Sequence, residues 1–135
     1  MAGKGKQQSV NAADGRAYLS KASEFLHAAR ESLTAGNHSA AVGNAVHAGI
    51  LAADVICACE LQTVWRGEHV QAVTHLERAG TDGKQAARHL KRLIPLKTRA
   101  EYDSAPLRST DASSAVKAAE RMVEIAGTAV RPAPA

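Results

Sequence analysis

Apolar residues recur at intervals of about three to four positions along most of this chain, the spacing of one face of an α-helix. Glycine, proline and helix-capping residues interrupt the pattern, and no segment reads convincingly as a strand. Because the connections between consecutive segments are short, the pattern predicts an all-α fold, an antiparallel up-and-down bundle of about four to five helices. The predicted helices span 11–35, 39–63, 68–79, 83–98 and 110–127.

The second predicted helix contains the most apolar stretch of the chain. Residues 39–59 read SAAVGNAVHAGILAADVICAC, in which Asp54 alone is charged outright at neutral pH. A helix with so little polar surface must be buried on nearly all sides, so the other helices are expected to surround it. A second copy of the chain, in a homodimer, would cover whatever the other helices leave open.

Three polar residues interrupt this apolar run. Asn44, His47 and Asp54 fall on one stripe of the helix and would need partners in the interior of the bundle. They are either a polar network that fixes the register of the helices or the wall of a groove that binds a ligand. The second alternative makes Asn44, His47 and Asp54 candidate ligand-binding residues.

The run is long enough to span a bilayer, but its many alanines and glycines and its three polar residues argue against membrane insertion. The first nine residues, MAGKGKQQS, are polar and carry no signal-peptide pattern. Cys57 and Cys59 lie two positions apart on a helix and cannot bridge each other. Free thiols favour a reducing compartment, so a cytoplasmic location is expected.

The length of 135 residues fits one domain with a core of its own. Residues 1–9 are predicted to be a disordered basic tail, 10–127 the bundle, and 128–135 a second disordered tail. The formal net charge is +4, from 17 Lys and Arg against 13 Asp and Glu. This mild excess permits binding to a polyanion without requiring it.

Segment 84–99 carries six basic side chains and no acidic one. Four of them share one helical face, which is either an ordinary solvated surface or a stripe that contacts the phosphates of RNA or DNA. The absence of aromatic residues from this segment argues against base stacking there. The candidate nucleic-acid-binding residues are Lys84, Arg88, Lys91 and Arg92.

No pattern of cofactor or metal chemistry stands out. The six histidines are scattered and none pairs with cysteine at zinc-ligand spacing, so no metal ion is predicted. There is no glycine-rich phosphate loop after a strand and no marked nucleophile, so no cofactor is predicted either.

Three patches together resemble the HEPN domain family, over most of residues 15–126. They are AVGNAVHAGILAADVIC at 41–57, LIPLKTRAEYD at 93–103 and SSAVKAAERMVEIA at 113–126. The resemblance implies a dimerising bundle of helices. Many members are ribonucleases of toxin–antitoxin and defence systems, whereas others bind nucleotides or nucleic acid or act as scaffolds.

Carried over to this sequence, Asn44 stands where the family often has arginine, and His47 lies in the usual place of an aromatic pair. Arg99 and Tyr102 match a later arginine and tyrosine of the family pattern. HEPN ribonucleases have an arginine, then four to six intervening residues, then a histidine, and this chain lacks that spacing. Arg66 and His69 are too close together.

The leading hypothesis is therefore a non-catalytic, homodimeric HEPN-like module of a bacterial toxin–antitoxin or defence system. Its partner would be RNA, DNA or a cognate protein such as an antitoxin. One alternative is a ribonuclease with a displaced active site, for which His47, Arg99 and Tyr102 are the candidate catalytic residues. Another is a purely structural dimerisation unit. Arg99 is also expected to pair with Asp54, so it is a fourth candidate ligand-binding residue beside Asn44, His47 and Asp54. Tyr102 is expected to pack against the second helix.

Overall fold

The computed structural model describes residues 6–130, and within this range the chain forms five helices and one two-stranded sheet. The all-α fold is confirmed, and the sheet is a short addition to it. Residues 1–5 and 131–135, parts of the two predicted tails, lie outside the described residues. The elements are β1 (Gln7–Ser9), α1 (Ala12–Thr34), α2 (His38–Leu61), β2 (Thr63–Trp65), α3 (His69–Glu77), α4 (Gly80–Tyr102) and α5 (Ser109–Ala129).

Helix α2 is the centre of the bundle. Helices α1, α4 and α5 all pack against it, while α3 packs mainly against α4. By length and composition α2 could cross a membrane, but 67% of its most apolar window is buried inside the protein. This burial accounts for the apolar composition of α2. The expectation that the other helices surround the run is confirmed except along one strip of α2, which includes Asn44 and His47 and is called the open strip below.

Gly49 allows two helices to approach α2 at the same level. A Cβ atom at this position would lie 2.5 Å from Cδ1 of Leu93 on α4 and 3.2 Å from Sδ of Met122 on α5. Both neighbours are fully buried. The missing side chain is therefore what lets α4 and α5 press against the same turn of α2.

Residues 7–9 were expected in a loose tail, but they form β1 and pair antiparallel with β2. Gln62, with a left-handed φ of 55°, ends α2 and turns the chain into β2. Two backbone hydrogen bonds extend the pairing: Val10 N–H donates to the Gln62 carbonyl at 3.0 Å, and Arg66 N–H donates to the Lys6 carbonyl at 2.7 Å. The tail thus holds the loop after α2 in place.

Helix α4 is longer at both ends than the predicted span of 83–98, and Pro95 does not end it. The helix continues to Tyr102. Pro95 cannot donate to the Lys91 carbonyl, but Lys91 is exposed and Pro95 lies on the outer side of the helix, so water can replace the missing donor.

Helix α5 ends later than predicted. It begins at Ser109 and continues through Ala129, past the expected stop at Gly127, so residues 128–129 belong to the bundle. At the amino end of the bundle, α1 begins with a capping box at Asn11. The Asn11 side chain accepts from Asp14 N–H, and the Asp14 carboxylate accepts from Asn11 N–H, each at 2.9 Å.

Candidate functional site

The three polar residues of α2 do not form one interior network. Asn44 is half-buried and His47 is exposed, and both line an open groove between α1 and α2. The His47 ring stacks on Phe25 of α1, with ring centroids 4.2 Å apart. Asp54 is separate from them and buried, with 8% of its surface exposed. The predicted stripe is thus divided between a surface groove and an interior site.

Asp54 pairs with Arg66, which sequence reasoning did not include in the site. Arg66 Nη1 donates to Asp54 Oδ2 at 3.1 Å, and Nη2 donates to the Tyr18 hydroxyl at 3.2 Å. The prediction that Arg99 pairs with Asp54 is wrong. Because α4 continues as a helix past Pro95, Arg99 lies beside α5 and pairs with Asp111 at 3.5 Å.

The expected packing of Tyr102 against α2 is also wrong, since Tyr102 ends α4 with 78% of its surface exposed. Arg99 contacts α5 and His47 contacts α1. Across residues 6–130, no hydrogen bond or ion pair joins any two of these three candidate catalytic residues. The structure does not bring them together as a reaction site.

Burial dominates the electrostatics around Asp54. It raises the pKa of this carboxyl from 3.8 to about 6, although the charge and hydrogen bond of Arg66 act in the opposite direction. Burial, and secondly the Asp54 charge, raise the pKa of the Cys57 thiol to about 12. Cys57 is therefore a neutral thiol and a poor nucleophile at physiological pH.

Asp54 and Arg66 line a pocket of about 190 Å³ between α2, α3, α4 and the segment around β2. One histidine in it is almost fully buried: His75 is 5% exposed, and its Nε2 lies 3.3 Å from the Thr63 carbonyl oxygen. Its Nδ1 has no hydrogen-bond partner within the described part of the chain. The pocket is called the Asp54 pocket below, and its other lining residues are Ile50, Ala53, Cys57, Trp65, Gly67, His69, Ala72, Leu90 and Ile94.

Most residues that line the Asp54 pocket could not be identified as site residues from the sequence. Arg66 and His69 attracted notice only as a pair too close for the ribonuclease spacing, yet both line this pocket. His75 and Trp65 carried no signal of their own. The one usable clue was Asp54, because a carboxylate buried in an apolar helix needs a cation from elsewhere in the fold.

A second candidate surface lies on α4. Lys84, Arg88, Lys91 and Arg92 are all exposed, on one face of the helix as predicted. Lys91 lies 3.9 Å from Glu77 on α3. Within residues 6–130, neither Arg88 nor Arg92 makes an ion pair with a carboxylate.

These two arginines border a groove between α4 and α5. Arg88, His89 and Arg92 line one wall, and Arg121 and Glu124 line the other. Partial burial lowers the pKa of His89, and the charges of Arg92, Arg121 and Arg88 lower it further. The groove therefore has a positive field, and it is called the basic groove below.

Across residues 6–130, no group of three or more His, Cys, Asp or Glu side chains is arranged to hold a metal ion.

Comparison with known proteins places this architecture in a family. No curated protein shows significant similarity to the chain. The model of the HEPN domain family matches residues 16–128, which include all five helices apart from the first residues of α1 and the last of α5. The match covers most of the chain, and the all-α bundle agrees with it, so this chain belongs to the HEPN domain family.

Proposed function

We propose that this chain is a non-catalytic, homodimeric HEPN module of a bacterial toxin–antitoxin or defence system, which binds nucleic acid in the cytoplasm. The observation that carries the proposal is the basic groove. Arg88 and Arg92 face solvent without a carboxylate partner in the described structure, and Arg121, across from them, pairs with Glu124 at 3.3 Å.

The chemistry of the basic groove suits a phosphate chain. Arg88 and Arg92 are one helical turn apart, about 6 Å along the axis of α4, so both guanidinium groups can contact one strand. Guanidinium groups bind phosphate oxygens through two parallel hydrogen bonds. Neither arginine has to break an ion pair in order to bind phosphate. The cost at each guanidinium group is then the desolvation of that group and the loss of side-chain entropy.

A binding role also agrees with the separation of the candidate catalytic residues. His47 lies on α2 against Phe25 of α1, whereas Arg99 and Tyr102 lie in the last turn of α4, where Arg99 pairs with Asp111. The displaced-site ribonuclease therefore has less support than the binding module. It has a direct test, because incubation with labelled RNA would reveal cleavage that disappears in His47→Ala.

Nucleic-acid binding is tested with fluorescently labelled single-stranded RNA and DNA at two salt concentrations. Wild type should bind with an affinity that falls as salt rises. Arg88→Glu combined with Arg92→Glu should weaken binding strongly and reduce the salt slope by about 0.7 for each phosphate that the variant no longer neutralises. The matched control is Arg16→Glu combined with Arg78→Glu, which makes the same charge change at exposed positions elsewhere.

Equal weakening in both double variants would mean that net charge, not the basic groove, determines binding. Absence of binding in wild type would contradict the proposal. An intact dimer would then favour the structural dimerisation unit, and capture of an encoded neighbouring protein would favour an antitoxin-type partner.

The open strip of α2 is the surface that supports a dimer. Together with α1 it forms a groove with apolar side chains at its centre, among them Phe25 and Leu51. Lys21 and Glu24 border the groove, both exposed and neither in an ion pair within residues 6–130. A two-fold axis that passes between Lys21 and Glu24 on α1 would set each lysine opposite the glutamate of the other copy, which makes this border of the groove complementary to itself.

Sedimentation or light scattering tests this interface. Leu51→Arg should shift the wild-type dimer toward monomer, because it places a charge at the apolar centre of the contact. Val70→Arg is the control, since Val70 is a 71% exposed apolar residue on α3, outside the proposed interface. A monomeric wild type, or dissociation by Val70→Arg alone, would overturn the assignment.

A further inference from the structure

The exposed stripe of α4 extends beyond the basic groove. The basic segment 84–99 contains no aromatic residue, but the helix continues past it and ends at Tyr102. Exposed residues recur at spacings of three or four along this length: Arg88, Arg92, Pro95, Arg99 and Tyr102. Since about four helical turns separate Tyr102 from Arg88, the two side chains leave the helix on the same face.

Tyr102 is an unusually open aromatic side chain. With 78% of its surface exposed, it is one of two large hydrophobic residues that face solvent in residues 6–130, the other being Val70 on α3. Within the same range, no aromatic ring stacks on Tyr102 and no arginine lies over it. The ring is therefore accessible to a flat ligand and adds nothing to the core.

The charges near Tyr102 balance, in contrast to those of the basic groove. The end of α4 and the start of α5 carry as many basic as acidic side chains: Lys97, Arg99, Arg108, Glu101, Asp103 and Asp111. Ion pairs join most of them. A polyanion therefore gains little from charge at this end of α4, and the exposed ring is what the surface offers there.

We propose that this surface binds an unpaired strand of nucleic acid, with its phosphates on Arg88 and Arg92 and one of its bases stacked on Tyr102. The inference rests on the proposed binding of nucleic acid by the basic groove, and it names the form of nucleic acid that the groove takes. A positive groove beside an exposed aromatic ring suits single strands of any sequence, because every base has a face that can stack.

The length of α4 fits a short strand. Arg88 and Tyr102 are about 21 Å apart along the helix axis. At a rise of about 3.4 Å for each nucleotide, this distance corresponds to about six nucleotides. An oligonucleotide of about eight nucleotides is therefore long enough to reach both residues.

A duplex can make only one of the two kinds of contact. Its phosphates remain accessible to Arg88 and Arg92, but its paired bases are stacked on one another and do not offer a face to a side chain. The contribution of Tyr102 to binding should therefore depend on whether the bases are unpaired.

Three labelled DNA probes of equal length test the inference: oligo(dT) of about eight nucleotides, the same backbone without bases, and a duplex. DNA is suitable because neither a phosphate contact nor a stacked base involves the 2′-hydroxyl. Tyr102→Ala should weaken the binding of oligo(dT) about five- to tenfold. It should leave the salt slope unchanged, because no charge is removed, and should not affect the other two probes.

Two controls show whether the ring itself is responsible. Val70→Ala removes the other exposed large hydrophobic side chain and should leave every affinity unchanged. Tyr102→Trp keeps an aromatic face and should retain the binding of oligo(dT), whereas Tyr102→Leu keeps the apolar bulk alone and should not.

Proton NMR gives a direct readout of stacking. The ring signals of Tyr102 should move upfield when oligo(dT) binds, because the stacked base shields them. Tyr18 is the other tyrosine of the chain and serves as the internal reference, since it lies on α1 with its hydroxyl bonded to Arg66.

The outcomes separate this inference from the proposed function. If wild type binds oligo(dT) and Tyr102→Ala binds it equally well, or loses as much affinity for the strand without bases, the stacking inference is wrong and the basic groove keeps its proposed role. Tyr102 signals that do not move at saturation would also overturn it. Absence of binding to all three probes would overturn both proposals.

Discussion

The two long sides of α2 differ in what they contact. On one side Gly49 presses against fully buried side chains of α4 and α5. On the other, His47 is exposed and Asn44 half-exposed beside α1. The difference teaches that an apolar helix in a small bundle need not be closed on every side. One side is determined by packing within the chain, and the other is available to a partner.

The largest expected effect on stability comes from adding a side chain at Gly49, on the closed side of α2 that packs against α4 and α5. Gly49→Val should lower the free energy of unfolding by about 2–3 kcal/mol, because the new side chain overlaps Leu93 and Met122. Gly43→Val is the matched control, since a Cβ there meets nothing within 4 Å. Urea denaturation measures both, and equal destabilisation would erase the proposed difference between the two sides.

Removing the cation from Asp54 should have the next largest effect. Arg66→Met should destabilise the protein by about 1–3 kcal/mol at neutral pH, because the buried carboxylate loses its only ion pair among the described residues. The destabilisation should shrink as Asp54 takes up a proton below its pKa of about 6. A destabilisation that stays constant from pH 7.5 to 4.5 would contradict this account.

The raised pKa of Asp54 predicts a pH dependence of stability with a definite sign. Between about pH 4 and pH 6 the folded state holds a proton on Asp54 that the unfolded state has lost. The free energy of unfolding should therefore fall as pH rises through this window, by at most about 3 kcal/mol. Asp54→Asn should remove this contribution, so its stability relative to wild type should increase from pH 4 to 6 and then level off.

Asp111 provides the opposite case. The backbone N–H of Arg108 lowers the pKa of Asp111, so its contribution is present above the ordinary pKa and is lost as pH falls. Asp111→Asn should therefore lose stability relative to wild type as pH rises through the acidic range. Denaturation curves at several pH values should separate the two variants by sign.

The smallest effect belongs to the open side of α2. His47→Ala removes the stack on Phe25, and it should lower the stability of the monomer by about 0.5 kcal/mol because the ring is exposed. Measured at low protein concentration, a destabilisation comparable with that of Gly49→Val would mean that the open side is as tightly packed as the closed one.

The sequence predicted the helices well because their signals are local. The apolar run of α2 needs only neighbouring residues to be recognised. Asn44 and His47 mark the open side of α2, but the prediction assigned them to the interior because the run as a whole is so apolar. That side depends on where α1 and α4 lie.

The site was predicted only in part, for a different reason. Asp54 was found from its burial, but its partner Arg66 lies in a loop positioned by the pairing of β1 with β2. The strand Gln7–Ser9 is polar and exposed throughout, so no alternation marks it as a strand. Arg99 is the more obvious partner in the sequence because a proline such as Pro95 is expected to bend α4 inward, yet the helix continues past it.

The hydrogen bond from the Arg66 backbone to the Lys6 carbonyl has a practical meaning for anyone handling this protein. It couples the first described residue mechanically to the arginine that neutralises Asp54. Affinity tags, fusion partners or truncations placed at the amino end will act on this linkage. Recombinant versions intended for ligand screening should therefore carry their purification handle after α5.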